Sequence, residues 1–473
     1  MDIALLISLL FIFLTLSVPI GIALGLATMI TMCFTSTIPV IMIAQTAFTG
    51  IDSFPLLAIP FFMLAGSLMG YGGISKRIVD FAESLVGFMV GGLAMVTVMA
   101  CMFFAAISGS GPATVSAIGS FMIPEMKSKN YGGPFAAALT AAAGSIGVII
   151  PPSIPFVIFA VISGASVLEL FVAGIVPGII IGISLMVVSW FIAKKRNYPR
   201  ADRNYGLHDV ATSFVKAFWA LMVPVIILGG IYSGIFTPTE AAVSGVVYAL
   251  FIGKFVYKEL DAVTIKAAFT DALVVNGATT FMLGLSLAFA TYLTMEEIPM
   301  RVGEWIVSVS STPWIILLLI NMMLLVVGCF VDNISSMIIL TPIFLPVMKS
   351  IGVDPVHFGL FMTVALAIGF ITPPYGANLF VASAVSGEKL DNISRNILPF
   401  VIAMILCLIL FVYFPVFSMG LVNLFVASAV SGEKLDNISR NILPFVIAMI
   451  LCLILFVYFP VFSMGLVNLF VRG

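Results

Sequence analysis

Long apolar stretches recur along almost the whole chain, and several match the ~20 residues that an α-helix needs to cross a bilayer. Segments 86–107, 168–193, 218–236, 314–331 and 399–422 are the clearest. The chain has 473 residues, of which 62% are apolar and 9% charged. A soluble domain averages roughly 45–50% apolar and about 25% charged residues. No soluble fold of this size hides that much apolar surface, so lipid must be the solvent for most of it. A net charge of −1 argues against nucleic acid as a partner. Asp2 is the sole charge before Asp52, and the apolar run 3–34 exceeds the roughly 7–15-residue core of a signal peptide. It is expected to be an uncleaved membrane segment. Cys33, Cys101, Cys329, Cys407 and Cys452 are scattered without Cys-x-x-Cys spacing, so they read as buried thiols rather than disulfides or zinc ligands.

Other apolar segments, 108–124, 141–164 and 368–387, are short or interrupted by Gly and Pro. Each fits a kinked helix or a re-entrant hairpin. Residues 194–209 form the main polar break and carry Lys194, Lys195, Arg196, Arg200 and Arg203. The positive-inside rule places this loop in the cytoplasm, near the middle of the chain. In 73–87, Ile74, Ile78, Phe81 and Leu85 recur at helical spacing while Lys76, Arg77, Asp80 and Glu83 fill other faces. Such a helix lies along the membrane interface.

The two halves match. Ile146-Gly-Val-Ile-Ile-Pro-Pro152 resembles Ile368-Gly-Phe-Ile-Thr-Pro-Pro374, an offset of 222 (374 − 152). At the same offset Pro124 and Met126 answer Pro346 and Met348, which sets Ser110–Thr114 opposite Asp332–Ser336. Arg77-Ile-Val-Asp-Phe81 parallels Arg301-Val-Gly-Glu-Trp305 at a slightly different offset. Secondary transporters are often built from inverted repeats whose broken helices meet near the bilayer midplane. Unwound backbone leaves carbonyls for a cation, and half-helix N-termini present positive dipole ends to an anion.

Asp332 is the only charged residue between Glu304 and Asp354 apart from Lys349, and apolar runs flank it. A charge at the centre of a membrane helix costs roughly 2.5–3.5 kcal/mol even on the lenient scale, so it must face protein or water. It fits a cation ligand, a polar anchor for substrate, or a carboxylate satisfying a helix end. Asn333, Ser335 and Ser336 add oxygen ligands beside it. The first-half counterpart, Ser108-Gly-Ser-Gly-Pro-Ala-Thr114, is neutral but rich in hydroxyls. Such an oxygen environment suits hard cations such as sodium. Ser153, Tyr375 and Asn378, at the double prolines, are candidates to line the solute path, although hydroxyls in membrane helices often only bond back to the preceding turn. Thr237-Pro-Thr-Glu240 reads as a capped helix start.

No Gly-x-x-x-x-Gly-Lys-[Ser/Thr] loop is present, so the chain shows no ATP site of its own. His208 and His357 are its only histidines, and there is no His-Glu-x-x-His. An intramembrane serine protease using Ser110 and His357 is the enzyme alternative, on a weak Gly-Ser-Gly motif.

At these motifs the sequence resembles the large membrane (M) subunit of tripartite ATP-independent periplasmic (TRAP) transporters, the DctM-like family. The resemblance rests on Ile59-Pro-Phe-Phe-Met63, Ser108-Gly-Ser-Gly-Pro-Ala-Thr-Val115, Gly147-Val-Ile-Ile-Pro-Pro-Ser153, Gly234-Ile-Phe-Thr-Pro-Thr-Glu-Ala-Ala242 and Ile371-Thr-Pro-Pro-Tyr-Gly-Ala-Asn378. It covers residues 1 to 422. The implied fold is an all-α polytopic membrane protein with two inverted-topology repeats, re-entrant helical hairpins and an elevator-type movement. The implied activity is sodium-driven import of an organic acid, a C4-dicarboxylate or a sialic acid for example, across a bacterial inner membrane. The implied partners are a small four-helix membrane subunit (Q type) and a soluble periplasmic substrate-binding protein (P type). By similarity one sodium site involves Ser108, Ser110, Gly147, Ile150 and Pro152, and a second Gly328, Asn333, Gly369 and Thr372. Asp332 then sits at the substrate site, with Ser110, Ser153, Ser335, Tyr375 and Asn378 as further candidates. A stand-alone sodium- or proton-coupled carboxylate carrier is the alternative, and a structural membrane scaffold a third reading that Asp332 and the paired breaks oppose.

The expected layout is a first repeat over 1–193, a basic cytoplasmic linker over 194–216 and a second repeat over 217–422. Residues 378–426 then recur without a single change as 423–471. Ancient repeats diverge, as the two halves have. If 399–422 spans, the identical polar loops 388–396 and 433–441 are driven to opposite sides of the membrane, which identical charge cannot favour. The segment 423–473 is therefore expected to be an artefact of sequence assembly, with a recent tandem duplication as the alternative.

Overall fold

A computed structural model describes residues 2–16, 18–35, 38–199, 206–309, 312–374 and 376–431. Arg200, Arg203, Tyr375 and the second copy from residue 432 onward lie outside the described residues. The chain divides into two units, Met1–Ser418 and Met419–Gly473, and the architecture below is that of the first.

Every regular element among the described residues is helical. The first are α1 (Asp2–Thr15), α2 (Ile20–Thr35), α3 (Ile41–Ile51), α4 (Ala58–Tyr71) and α5 (Ile74–Val86). A hairpin follows from α6 (Gly92–Ser108) and α7 (Gly111–Ser128), then α8 (Gly133–Gly144), a 3₁₀ turn at Ser145–Val148, α9 (Ile154–Ser163) and the long α10 (Val167–Lys195). Past the basic loop come α11 (Leu207–Tyr232), α12 (Pro238–Phe251), α13 (Ala262–Met295) and α14 (Ile298–Val309). A second hairpin of α15 (Pro313–Gly328) and α16 (Asn333–Ser350) leads to α17 (Pro355–Gly369), α18 (Ala377–Ser386), α19 (Leu390–Tyr413) and α20 (Val416–Ser431). By length and composition, seven helices among the described residues are able to cross a membrane. Side-chain caps define several starts. Thr237 and Glu240 form the expected capping box of α12, with Thr237 N donating to Glu240 Oε2 at 2.8 Å. Asp261 and Thr264 exchange equivalent bonds of 2.8 Å at α13.

Helix α5 buries Ile74, Ile78 and Phe81 and leaves its charged face outward, so the amphipathic reading of this stretch holds. Phe81 packs on Phe103 of α6 and Phe214 of α11, with ring centroids 5.7 and 5.8 Å apart. The order of elements α5–α10 then repeats as α14–α19. Both double prolines fall between the last two matched short helices, and both Pro151–Pro152 and Pro373–Pro374 are cis.

The repeats run in opposite senses. Arg196, just past α10, donates to Asn396 Oδ1 near the start of α19 at 3.1 Å, so these two long helices are antiparallel. The base of the first hairpin sits at the C-terminal end of α10, where Gly91 abuts Ala193. The base of the second sits at the C-terminal end of α19, where the Trp314 and Tyr413 rings stack 4.8 Å apart at 7°. The two hairpins therefore enter from opposite faces, the first from the side of the basic loop. Their short helices are exchanged. Helix α18 packs on α7, with Lys127 and Glu388 paired at 2.9 Å, whereas α9 packs on α17, Phe159 meeting the Phe358 ring edge-on at 5.8 Å.

A second group of helices flanks this body. Helix α13 leans on α2 and α3, where Gly21 meets Met282 and Gly284 meets the Ala47 carbonyl. Helix α12 is tied to the 3₁₀ turn that precedes α4, where Thr239 donates to the Phe54 carbonyl at 2.9 Å. Many large apolar side chains stay exposed on the outer surface, Phe11, Phe34, Phe48, Val263 and Trp314 among them, which suits lipid and not water.

Candidate functional site

The tip of the first hairpin is a knot of oxygen atoms. Ser108 Oγ lies 2.9 Å from Thr114 Oγ1, and Thr114 Oγ1 donates to the Ser110 carbonyl at 2.8 Å. Ser110 N donates to Ser108 Oγ at 3.4 Å. Ser110 is the extended residue that starts α7, with Pro112 in the first turn, so the unpaired N–H groups of that turn face the tip. Gly147, in the 3₁₀ turn after α8, presses against the same oxygens. A Cβ there would stand 2.5 Å from Ser110 O and 2.6 Å from Thr114 Oγ1, so only glycine permits the approach. The Pro152 carbonyl faces Gly109, and Ile154 N donates to Gly109 O at 3.3 Å. The structure thus brings Ser108, Ser110, Gly147 and Pro152 together. Ile150 turns its side chain onto Gly178 of α10. Sequence reading did not single out Thr114, although a hydroxyl one turn after Ser110 was the available signal.

The second tip repeats the plan with different atoms. Gly369, ending α17, lies so close to Gly328, ending α15, that a Cβ on Gly369 would overlap the Gly328 carbonyl oxygen. Thr372 Oγ1 donates to Ile368 O at 2.8 Å, and Thr372 N to Gly369 O at 3.1 Å. Asp332 caps α16, its carboxylate accepting from Ser335 N at 3.1 Å. Asp332 thus satisfies the end of its helix with one carboxylate oxygen. Asn333 is 1% exposed, and neither its Oδ1 nor its Nδ2 has a hydrogen-bond partner among the described residues. Ser336 Oγ is buried in the same condition. A buried polar atom without a partner is costly, and a cluster of them at a helix start points to a ligand. Oxygen atoms from Gly328, Asn333, Gly369 and Thr372 are the hard donor set that fits sodium.

Other expected site residues are occupied otherwise. Ser153 is fully buried; it donates to the Val148 carbonyl at 2.6 Å and caps α9 through Phe156 N. Asn378 is also fully buried, with Nδ2 donating to Ala141 O at 3.1 Å and Ser145 Oγ at 3.2 Å. Its Oδ1 has no partner among the described residues and stands against Gly111, at the start of α7. Ser335 Oγ contacts Met282 Sδ of α13 at 2.9 Å. Tyr375 lies outside the described residues. His357, the base of the protease alternative, bonds Ser418 Oγ at 2.8 Å and the Val412 carbonyl at 3.3 Å, so both ring nitrogens are engaged away from Ser110.

A cavity of about 520 Å³ opens between the first hairpin and helices α4 and α13, within the range of small-molecule sites. Ser108 and Ser110 lie at one end. Ser116 and Ser120 line it toward the base of the hairpin, and Tyr71 and Asp271 form the facing wall. Tyr71 donates its phenol proton to Asp271 Oδ2 at 2.7 Å. Since the base of this hairpin meets the end of α10, the cavity extends toward the basic-loop side.

Comparison with known proteins places this geometry. The model of a family described as "Tripartite ATP-independent periplasmic transporter, DctM component" matches residues 7–417. An isethionate TRAP transporter permease protein, DctMQ of Oleidesulfovibrio alaskensis, is 46% identical over 412 residues, covering 86% of this chain and 64% of that one. A C4-dicarboxylate TRAP transporter large permease protein, DctM of Pseudomonas aeruginosa, is 41% identical over 399 residues, 84% of this chain and 93% of that one. A sialic acid TRAP transporter large permease protein, SiaM of Vibrio cholerae, is 39% identical, covering 85% of this chain and 94% of that one. Among solved structures, the Alcanivorax borkumensis YdaH transporter, described as having an unusual topology, superposes with a TM-score of 0.56 at 16% identity. That likeness covers 80% of this chain and 88% of the other, and it supports the fold alone.

Proposed function

This chain belongs to the DctM component family of tripartite ATP-independent periplasmic transporters, and on that premise we propose that it imports an organic acid by sodium-coupled transport fed by a periplasmic binding protein. It is a large permease subunit of the bacterial inner membrane and not an enzyme. The relatives named for isethionate, C4-dicarboxylates and sialic acid all carry organic anions, which supports the substrate class. The isethionate relative is the longer protein, and its extra length leaves room for the small membrane subunit within one chain.

The observation that carries the coupling proposal is the pair of oxygen knots at the two hairpin tips. Ser108, Ser110, Thr114 and Gly147 supply one; Gly328, Gly369 and Thr372 meet at the other, which the buried Asn333 is proposed to complete. A bound sodium ion would add positive charge beside the start of each half-helix, where the exposed N–H groups already favour an anion. Asp332 holds its place at the second knot and, by its charge, favours a cation there. Helices α6–α10 and α15–α19 are proposed to move as one body against α1–α4 and α11–α13, with the interfacial helices α5 and α14 as connecting arms. The unequal partners of the hairpins support this: each tip rests on polar backbone of its own body, and the cavity walls of α4 and α13 belong to the other.

Uptake into proteoliposomes holding this chain, its small membrane partner and an imposed sodium gradient tests the reading. Candidate acids are offered with and without the cognate binding protein. Uptake that needs both sodium and the binding protein is expected. Uptake with sodium alone would replace the tripartite reading with a stand-alone carrier, and uptake indifferent to sodium would remove the coupling proposal.

A further inference from the structure

We infer that Tyr71 and Asp271 form a subsite for a hydroxyl group of the transported acid, on the cavity wall opposite the first hairpin tip. The inference rests on the organic-acid reading above and adds which kind of acid the cavity prefers. Among the described residues Asp271 is the only charged side chain lining this cavity, and no lysine, arginine or histidine joins it. It lies within the candidate membrane span Ala262–Met295, in which no other charge follows it.

The direction of the Tyr71 hydrogen bond decides what it offers. The phenol proton is given to Asp271 Oδ2, so the pair keeps only acceptors: the phenol lone pairs, Oδ1 and the remaining capacity of Oδ2. A ligand facing it must bring donors. Ser120 Oγ donates to the Ala117 carbonyl at 2.9 Å, so this serine too presents an acceptor to the cavity. The acid group of the ligand is repelled by Asp271 and drawn to the N–H groups at the start of α7, which orients the molecule along the cavity. Its other end then reaches Tyr71 and Asp271. A hydroxyl satisfies them without adding charge. An ammonium group also brings donors, and the β-alanine arm of the test separates it from a hydroxyl.

Propionate, 3-hydroxypropionate and β-alanine carry hydrogen, hydroxyl and ammonium at the terminal carbon of the same skeleton; ethanesulfonate and isethionate give a second hydrogen–hydroxyl pair. Equilibrium binding of these five acids to the complete permease complex in nanodiscs, with sodium present, is measured for the wild type, Asp271→Ala and Tyr71→Phe. The wild type is expected to prefer the hydroxylated member of a pair by about 10- to 100-fold, the worth of a hydrogen bond to a charged acceptor. Asp271→Ala should bring that ratio to within about twofold, with affinity for the unhydroxylated acid kept or raised as the repelling charge goes, which also reports an intact fold. Tyr71→Phe, the conservative change, should fall between. A preference that survives Asp271→Ala, or a wild type indifferent to the hydroxyl, overturns the subsite and leaves organic-acid transport standing. Preference for β-alanine over 3-hydroxypropionate, lost in Asp271→Ala, overturns the hydroxyl in favour of an ammonium group. Failure of the wild type to bind any of the five overturns the organic-acid reading and the subsite with it.

Discussion

Asn378 donates an Nδ2 hydrogen to the Ala141 carbonyl at 3.1 Å, joining the start of α18 in the second half to the end of α8 in the first. The same nitrogen reaches Ser145 Oγ at 3.2 Å, and the Asn378 backbone N–H is held by the Phe370 carbonyl at 3.0 Å. One buried amide therefore fixes α18 against the helix break of the opposite repeat. This is how exchange of the short helices becomes rigid enough to hold a hairpin tip.

Asn378→Ala is expected to destabilise the protein by about 1–3 kcal/mol, since Ser145 and Ala141 lose a buried partner and the site keeps a void. Thermal unfolding of the solubilised complex reads this directly. If Asn378 served the ligand alone, the variant would melt with the wild type and lose only binding.

The Lys127–Glu388 pair joins the other end of α18 to the end of α7, at 2.9 Å, and Lys127 Nζ also donates to the Ser386 carbonyl at 2.6 Å. Lys349 occupies the matched place in the second half, but Ser166 stands where Glu388 does, so this pair has no twin. The two side chains are 35% and 24% exposed, and solvent screens the attraction. Lys127→Met should cost only about 0.2–1 kcal/mol, less at high salt. A loss above about 2 kcal/mol in the same unfolding assay would show that the bond to Ser386, and not the ion pair, fastens α18.

Gly369→Ala should damage the second tip while Gly229→Ala is tolerated. The added methyl at Gly369 overlaps the Gly328 carbonyl, which has to swing away, whereas a Cβ at Gly229 in α11 meets nothing within 4 Å. Alanine in an open helical site is favoured over glycine by roughly 1 kcal/mol. The sodium concentration giving half-maximal uptake is expected to rise at least about 10-fold for Gly369→Ala, the scale of losing one well-placed ligand, and to stay unchanged for Gly229→Ala. Equal sodium dependence in both would remove the Gly328 carbonyl from the coupling site.

Much of this architecture was legible because the repeats share a constant offset. Matching 146–152 with 368–374 located both breaks, and Asp332 stood out as a lone charge in an apolar run. The capping box at Thr237 followed from spacing alone. What spacing could not show is contact across the chain. Ser153 looked like a path residue, yet its hydroxyl is consumed by Val148 and Phe156, because local backbone groups freed by the double proline claim it first. Asn378 carried no sign that its partners lie at 141 and 145. Tyr71 and Asp271 were silent for the same reason: each is unremarkable in its own helix, and only the packing of α4 beside α13 makes them one group.

Asp332 has two roles that one pair of substitutions separates. As the N-cap of α16 it accepts a hydrogen bond from Ser335 N, a task asparagine performs about equally well. As a charge beside the oxygen knot of Asn333 it attracts a cation, which asparagine does not. Asp332→Asn should therefore keep the melting temperature near that of the wild type and lose sodium-driven uptake by 10-fold or more. Asp332→Ala should lose uptake similarly and, in addition, about 1 kcal/mol of stability with the cap. The order of the two variants in the unfolding assay, set against their equality in uptake, distinguishes a coupling residue from a structural cap. Should Asp332→Asn transport normally while Asp332→Ala does not, the carboxylate is only holding the helix start, and the cation would have to be held by the neutral oxygens of Gly328, Asn333, Gly369 and Thr372.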